Sequence, residues 1–348
     1  MTASAGRRGL VLVTGGSGYI AGFCIAALLE AGWRVRTTLR RLEKAAPLRA
    51  GLGRIGVDAA ELDFFAADLN HGEGWAGAAA GADFVLHVAA PVPAVDPKSD
   101  DELIRPMRDG ALRVLKAARD AGVKRVVMTS SVSAIVYRDG ADGVVSTEAE
   151  WSDEANRAGS APYDRAKTIA ERAAWAWHSA EGGRLELVMV NPSFVLGPVL
   201  GADFSASVEL VKRLLDGSVP ALPRVGVTLV DVRDVAALHL LAMTTPSAAG
   251  QRYIGAGEFF WIKDIARVLR DGLGDGARRV PTRLAPDWAV RLAGLVDPIV
   301  RSRLFELGKE RRVSSAKARS SLGWTTRPSE ETILDAGRSL LELGLARS

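Results

Sequence analysis

A chain of 348 residues, 48% hydrophobic and 25% charged, is long enough to bury a large core in one large or two smaller domains. Its 45 Lys and Arg against 41 Asp and Glu leave a net charge of +4 that is dispersed along the chain, which weighs against a nucleic-acid surface. The single cysteine, Cys24, excludes an intramolecular disulfide framework and is compatible with a reducing compartment.

The opening MTASAGRRG is short and polar, and no apolar run approaches the roughly 18 residues of a membrane span. Neither a secretory leader nor a membrane contact is predicted, and the cytoplasm is the expected compartment. The first apolar run, Leu10–Thr14, has the character of a strand buried on both faces; it runs into a glycine cluster, and a helical pattern follows over Ile20–Ala31. Further strands are predicted over Arg34–Leu39, Leu62–Ala66, Phe84–Val88, Arg125–Ser130 and Leu185–Asn191, with helices over Asp101–Ala121 and Pro162–Ala180 between them. This repeating pattern predicts an α/β fold with a doubly wound parallel sheet. After Pro192, NPSFVLGPVLGADF is loop-like. TLVDVRDVAALHLLAM and QRYIGA then read as strand, helix and strand returning to the first domain. Phe259 to Pro328 reads as helices and loops of a smaller lobe.

VTGGSGYIAG places Gly15, Gly18 and Ala21 at G-x-x-G-x-x-A spacing between a strand and a helix. Glycine permits the tight turn and a close backbone approach to a pyrophosphate, and the small third residue lets helix and strand pack. The helix N-terminus then offers unsatisfied N–H groups and its positive dipole end to the phosphates. No G-K-[ST] follows, which disfavours a nucleotide-hydrolysing loop. An NAD site usually carries an acid about 20 residues further on. Here the second strand ends in RTTLRRLEK, with no acidic residue from Ala31 to Leu42. Arg40, with Arg41 or Lys44, can instead meet a 2′-phosphate; a charge-assisted hydrogen bond of about 1.5–3 kcal/mol gives a roughly ten- to hundredfold preference for NADP. A solvated arginine cluster is the plainer alternative. Asp68, after the third strand, can accept from an adenine amine or cap a helix.

PYDRAKTIAERAAW holds Tyr163 and Lys167 at i and i+4, one above the other on a helix face and about 6 Å apart along the axis. An ammonium about 4 Å from the phenol, at an effective dielectric near 20, favours phenolate by about 4 kcal/mol. The spacing therefore predicts a phenol lowered below its ordinary value, until burial opposes it, and a general acid for a carbonyl oxygen receiving hydride. Upstream, VVMTSSVSAIVY ends a strand in Thr129, Ser130 and Ser131, at the sheet edge where such folds bind ligands, and a serine hydroxyl there can hold the carbonyl oxygen. The histidines at 71, 87, 178 and 239 show no ligand spacing, and no Cys cluster, H-E-x-x-H or G-x-S-x-G elbow occurs, so no metal and no serine hydrolase is expected. His87 reads as a satisfied structural histidine, and Trp175 and Trp177 as core or a dimer seam.

With VTGGSGYIAG, FVLHVAAP, VVMTSSVSA, YDRAKTIAERAAW, VNPSFVLGP and VDVRDVAALHLLA in this order, the chain resembles the extended short-chain dehydrogenase/reductase family. The resemblance is to its group of dihydroflavonol reductases, cinnamoyl-CoA reductases and yeast-type aldehyde/ketone reductases. It runs from about Leu10 to His239, and VSSAKARSSLGW extends it to about Trp324. It implies an NADP-binding Rossmann domain over 1–191 and about 227–257. A smaller, discontinuous substrate lobe would take about 192–226 and 258–330, with a C-terminal helix or tail over 331–348. Tyr163 would be the acid, Lys167 its activator and ribose anchor, and Ser131 the carbonyl partner, with Ser133 the alternative serine. NADP(H) would be held by Gly15, Gly18, Tyr19, Ile20, Arg40, Lys44, Asp68 and Leu69. Val88, Ala89, Ala90, Ser130 and Ser207 would join them, together with Tyr163, Lys167 and the backbone from Pro192 to Val195 facing the nicotinamide.

Two departures bear on this. Ala21 replaces the third glycine of the commonest fingerprint, which a small side chain tolerates. Val136 stands where flavonol-reducing plant enzymes carry a polar asparagine, which weakens a flavonoid substrate. An aldehyde or ketone with apolar bulk fits better, with Val92, Val136, Phe194 and Phe204 as pocket lining or core. The expected function is NADPH-dependent carbonyl reduction of a small molecule, with a homodimer through the 101–121 and 162–180 helices. A sugar-nucleotide epimerase or dehydratase is disfavoured by the arginines, and a non-enzymatic NADP sensor by the complete Ser131, Tyr163 and Lys167.

Overall fold

The computed structural model describes residues 8–91 and 100–347. Val92, expected to line the pocket, lies outside the described residues. In the first half, β1 (Leu10–Val13), β2 (Arg34–Leu39), β3 (Asp63–Ala66), β4 (Phe84–His87) and β5 (Arg125–Thr129) alternate with α1 (Tyr19–Glu30), α2 (Ala45–Arg54), α3 (Trp75–Ala79) and α4 (Asp101–Asp120). Then come α5 (Ser133–Val136), the two-residue β6 (Val145–Ser146), α6 (Pro162–Glu181), β7 (Glu186–Pro192) and β8 (Phe194–Leu196). The second half holds α7 (Ala206–Leu215), β9 (Gly226–Asp231), α8 (Val232–Thr244), β10 (Arg252–Gly255), β11 (Phe259–Trp261) and α9 (Ile262–Leu273). It closes with α10 (Asp287–Val296), α11 (Pro298–Arg301), β12 (Arg312–Val313), α12 (Ala316–Leu322) and α13 (Ser329–Glu342).

Seven strands form one parallel sheet in the order β10-β7-β5-β4-β1-β2-β3. β1, β5 and nearly all of β7 are buried, as the apolar runs LVLV, RVVMT and ELVMVNP require of strands covered on both faces. α1 and α8 pack together on one side, and α4 with α6 and α3 on the other. The chain moves from β1 outward to β2 and β3, then returns to the far side of β1 as β4. That reversal opens a crevice between β1 and β4 at the carboxyl ends, where sheets of this kind bind ligands.

The six early strands and three long helices lie within one or two residues of their predicted bounds. Two expectations change beyond Pro192. The stretch read as loop contains β8, because Phe194-Val195-Leu196 is an apolar run that pairs in parallel with Leu229-Val230-Asp231 of β9. β9 itself joins β8 and β11 in a separate three-stranded sheet rather than the large one. Both edges of β7 are already taken, by β5 and by β10, so the large sheet has no place for it there. α8 and β10 do return to the large sheet. One apolar cluster runs from Val11, Phe23 and Ile25 through Val195 and Leu229 to Ile265 and Ile333. The small sheet and its helices therefore share a core with the α1–α8 layer, which fixes one wall of the crevice.

Candidate active site

Residues 14–18 turn the chain from β1 into α1. Gly15 has φ +71°, and a Cβ there would stand 2.8 Å from the Ala89 Cβ; one on Gly16 would stand 2.2 Å from Thr37 Oγ1. Any side chain would force the loop off the sheet edge. The Gly15 N–H donates to Thr38 Oγ1 at 3.0 Å, Gly16 N–H to the Thr38 carbonyl at 2.9 Å, and Gly18 N–H back to the Gly15 carbonyl at 2.8 Å. No side chain caps α1, so the first-turn N–H groups that begin at Tyr19 and Ile20 remain for an anion. The Tyr19 side chain is not part of that cradle: its buried hydroxyl donates to the Gly197 carbonyl at 2.9 Å, and burial holds its phenol protonated. Ala21 is buried in α1, where the close packing asks for a small residue.

At the tip of β2, Arg40 is exposed and has no side-chain partner among the described residues. Arg41 pairs with Glu43 at 3.3 Å, and Lys44 with Asp203 at 2.8 Å. Asp68 accepts from the Asn70 N–H at 2.9 Å and side-chain amide at 3.0 Å, making an Asx turn. It caps no helix, since α3 begins only at Trp75, after Gly74. The adjacent Leu69 is buried against Gly110 and its carbonyl accepts from Arg113.

Val88, Ala89 and Ala90 leave β4 facing the glycine loop, where the Ala89 N–H donates to Thr14 Oγ1 at 3.0 Å. The same hydroxyl meets His87 Nδ1 at 2.9 Å. Burial first, and the Lys167 ammonium second, pull His87 down to about 3, so it is a neutral structural ring. A small cavity of about 10 Å³ lies among His87, Ala89, Thr129, Ser130 and Lys167. A wider groove of about 790 Å³ runs between Thr228, Phe259, Arg312 and Ser329, and none of the candidate catalytic or cofactor-binding residues lines it.

The strand end at Thr129 delivers three serines to different tasks. Ser130 is buried and donates its hydroxyl to the Glu171 carboxylate. Ser133 donates its hydroxyl to Asp164 Oδ1 at 2.8 Å and its N–H to Ser131 Oγ at 3.1 Å. Of the two candidate serines, Ser133 is thus committed, while the proton of Ser131 has no acceptor among the described residues. Pro162 opens α6 at a position where proline costs no hydrogen bond, and Asp164 stands in the first turn, favourable to the dipole. Asp164 also accepts the Ala161 N–H at 2.9 Å and lies 3.4 Å from Arg303 Nη1. Burial pushes its carboxyl up, and Arg303 opposes this.

Tyr163 and Lys167 project from this helix as predicted by their spacing, but their electrostatics differ from the expectation. Lys167 Nζ lies 5.8 Å from the Tyr163 ring centroid and 3.4 Å from the Thr129 carbonyl. Burial lowers Lys167 to about 8, with Glu171 one turn on acting against it. Burial likewise raises the Tyr163 phenol above its ordinary value, Asp164 adds to the rise, and Arg303 opposes it. Burial is the largest influence on both groups. The phenol is held protonated, which is the state a proton donor needs.

Behind Lys167, Glu171 accepts from Arg252 Nε at 2.7 Å and from Asn191 Nδ2 at 2.8 Å. Arg252 lies over the Trp151 ring, 3.8 Å from its centroid. Past β7, the Val132 N–H donates to the Pro192 carbonyl at 3.0 Å, and the Ser193 hydroxyl is buried with no partner. Val195 offers its carbonyl to Ser207, which also meets Ser205 at 2.7 Å. Val136 is 4% exposed and packs with Ile135, Tyr137, Ile254 and Ala256. Phe194 and Phe204 are half-buried against the main cluster. Trp177 is core and Trp175 packs beside it. Among the described residues no group of three His, Cys, Asp or Glu could hold a metal ion, and no helix is long and apolar enough to cross a membrane. Asp164, Glu171, Arg252 and Arg303 were not legible as site residues; only the helical repeat Tyr163-Lys167-Glu171 hints at one of them.

A family model, NAD dependent epimerase/dehydratase family, matches residues 11–255. The chain is 36% identical over 265 residues to tetraketide alpha-pyrone reductase 2 of Arabidopsis thaliana, covering 75% of this chain and 81% of that one. It is 37% identical over 246 residues to cinnamoyl-CoA reductase 1 of the same plant, covering 70% and 69%. Its fold is shared by yeast methylglyoxal/isovaleraldehyde reductase Gre2 complexed with NADPH, with a TM-score of 0.78 at 24% identity over 97% of this chain and 100% of that one.

Proposed function

We propose that the chain, which belongs to the NAD dependent epimerase/dehydratase family, is an NADPH-dependent reductase of aldehyde or ketone carbonyls. The observation that carries the reading is the Ser133–Asp164 bond at 2.8 Å, which ties the strand end that bears Ser131 to the helix turn that bears Tyr163. Ser131 keeps a free proton and Tyr163 is held protonated. The curated relatives, named as reductases, support the same chemistry.

The residues fit the cofactor. Gly15 and Gly16 let the loop backbone lie against Ala89 and Thr37, where a Cβ would collide, α1 has uncapped N–H groups, and the Ser193 hydroxyl is buried without a partner beside the Pro192–Val195 backbone. Gly15, Gly18 and the main chain of Tyr19 and Ile20 would hold the pyrophosphate, Arg40 the 2′-phosphate, and Asp68 the adenine. Val88, Ala89 and Ala90 line the opposite side. When bound, the reduced nicotinamide supplies the hydride. Ser131 donates a hydrogen bond to the carbonyl oxygen, and Tyr163 gives that oxygen its proton as negative charge develops. Lys167, at the ring of Tyr163, would anchor the ribose and offset the negative charge that Tyr163 takes on as it gives up its proton. The part-exposed side chains of Phe194 and Phe204 favour a substrate with apolar bulk, while Val136 is packed in a core cluster.

The test is NADPH oxidation against a panel of aldehydes, ketones and flavanonols, with Tyr163→Phe as the control. Turnover of an apolar aldehyde or ketone, lost by roughly 10²–10⁴-fold in Tyr163→Phe, supports the reading. A variant that keeps more than about a tenth of the activity, well short of that loss, would mean the proton comes from elsewhere.

A further inference from the structure

We propose that Asp164 and Arg303 are positioning residues, the middle and the far end of a string of hydrogen bonds that reaches from the C-terminal lobe to Ser131. The proposal rests on the reductase reading of Ser131 and Tyr163. The string begins at Arg303 Nη1, 3.4 Å from Asp164 Oδ2. It passes through Asp164 Oδ1 to the Ser133 hydroxyl at 2.8 Å, and from the Ser133 N–H to Ser131 Oγ at 3.1 Å. Asp164 Oδ2 also takes the Ala161 N–H at 2.9 Å, which fixes the carboxylate to the first turn of α6 next to Tyr163.

Each link constrains the next. Asp164 is 1% exposed, so its carboxylate has protein groups in place of water, and losing one leaves an unpaired buried acceptor. Ser133 spends both its donors on this string. Ser131 accepts there and so must direct its own proton elsewhere, which aims that hydroxyl as a donor. Arg303 comes from the segment between α11 and β12, remote in sequence from both catalytic elements, and its side chain is 45% exposed. The seating of that lobe segment thereby bears on where Ser131 stands relative to Tyr163. A misplacement of about 1 Å at such a pair is worth as much as a hundredfold in rate.

Arg303→Met in the full chain is the main test, because a half-exposed side chain can be shortened without unfolding the core. Hydrogen exchange read by mass spectrometry, with no substrate present, should quicken over Ser131–Tyr137 and stay unchanged over Leu10–Glu30. With a turned-over carbonyl, kcat should fall roughly ten- to a hundredfold while KM for NADPH holds, and Arg303→Lys should restore most of the loss. Asp164→Asn should show the same pattern, and the double variant should be no worse than the poorer single one. Unchanged exchange over Ser131–Tyr137, or losses that add in the double variant, would overturn the proposal. Failure of the wild-type chain to reduce any carbonyl would sink the reductase reading instead, and the exchange measurement would still decide the string.

Discussion

Glu171 and Arg252 meet at 2.7 Å with both side chains buried, one helical turn beyond Lys167. The carboxylate also takes the Ser130 hydroxyl and the Asn191 amide, so it is a junction for the floor of the site. Removing only the cation leaves the buried carboxylate without its ion-pair partner, held by those two neutral donors alone. Arg252→Met should therefore lose about 3–5 kcal/mol of stability. Urea unfolding is the measurement. The double variant Glu171→Gln/Arg252→Met, which removes both charges, should be more stable than Arg252→Met alone. A double variant that simply adds the two losses would deny the coupling.

Lys44 is engaged with Asp203, whereas Arg40 is exposed and unpartnered among the described residues. Arg40→Ala should raise KM for NADPH about ten- to hundredfold and leave KM for NADH nearly unchanged. Lys44→Ala should have the smaller effect, since a surface ion pair is worth about 0–1 kcal/mol and its ammonium is already shared. Steady-state kinetics with both cofactors decides this. Equal losses with NADPH and NADH in Arg40→Ala would remove the 2′-phosphate assignment.

His87 and His239 make the fold sensitive to mild acid. Burial lowers both, His87 to about 3 with help from Lys167 and His239 to about 4 against its bond to the Val235 carbonyl. The unfolded chain binds their protons below about pH 6.5 and the folded chain does not. Their contribution is fully present above that pH and lost as pH falls toward the folded values, at about 1.4 kcal/mol per pH unit per ring. His239 Nδ1–H donates to the Val235 carbonyl and its Nε2 accepts from Thr129, so Gln can keep part of that geometry. Urea midpoints between about pH 7.5 and 5 should drop less in His239→Gln than in the wild type. Parallel slopes would show that the ring is not titrating across unfolding.

What the sequence disclosed, and what it hid, follows from the range of the forces involved. The strands and long helices were legible because LVLV, RVVMT and ELVMVNP are buried on both faces, a constraint each segment carries by itself. Gly15, Tyr163 and Lys167 were legible because each sits in a local spacing tied to one strand end or one helix face. Which sheet β9 joins was not legible because pairing depends on which edges of β7 remain open, and β10 closes one from further along the chain. Asp164 and Arg303 are 139 residues apart, and no local pattern announces their contact. The spacing announced the lysine beside the phenol, but how far burial raises the phenol depends on packing that no local pattern carries.

The alkaline limb of activity should belong to Lys167 and not to Tyr163. Burial brings the ammonium down to about 8 and moves the phenol the other way, above its ordinary value. As pH rises the lysine is therefore the first of the two to change charge, losing its proton while the tyrosine keeps its own. Neutral Lys167 can still accept a hydrogen bond, but it no longer offers a cation to the ribose or to a developing phenolate. The parameter kcat/KM for NADPH reports groups of the enzyme before cofactor binds, the state to which these values apply. It should be level to about pH 7 and fall through about 8. Lys167→Arg, whose guanidinium stays charged, should be less active but lack that fall, because a group titrating above about 12 has been put in its place. NADPH binding to Tyr163→Phe, followed by fluorescence, should keep the limb near 8, since its lysine is intact. A limb that vanishes in Tyr163→Phe and survives in Lys167→Arg would hand the titration to the phenol. The protonated donor argued for Tyr163 would then be wrong.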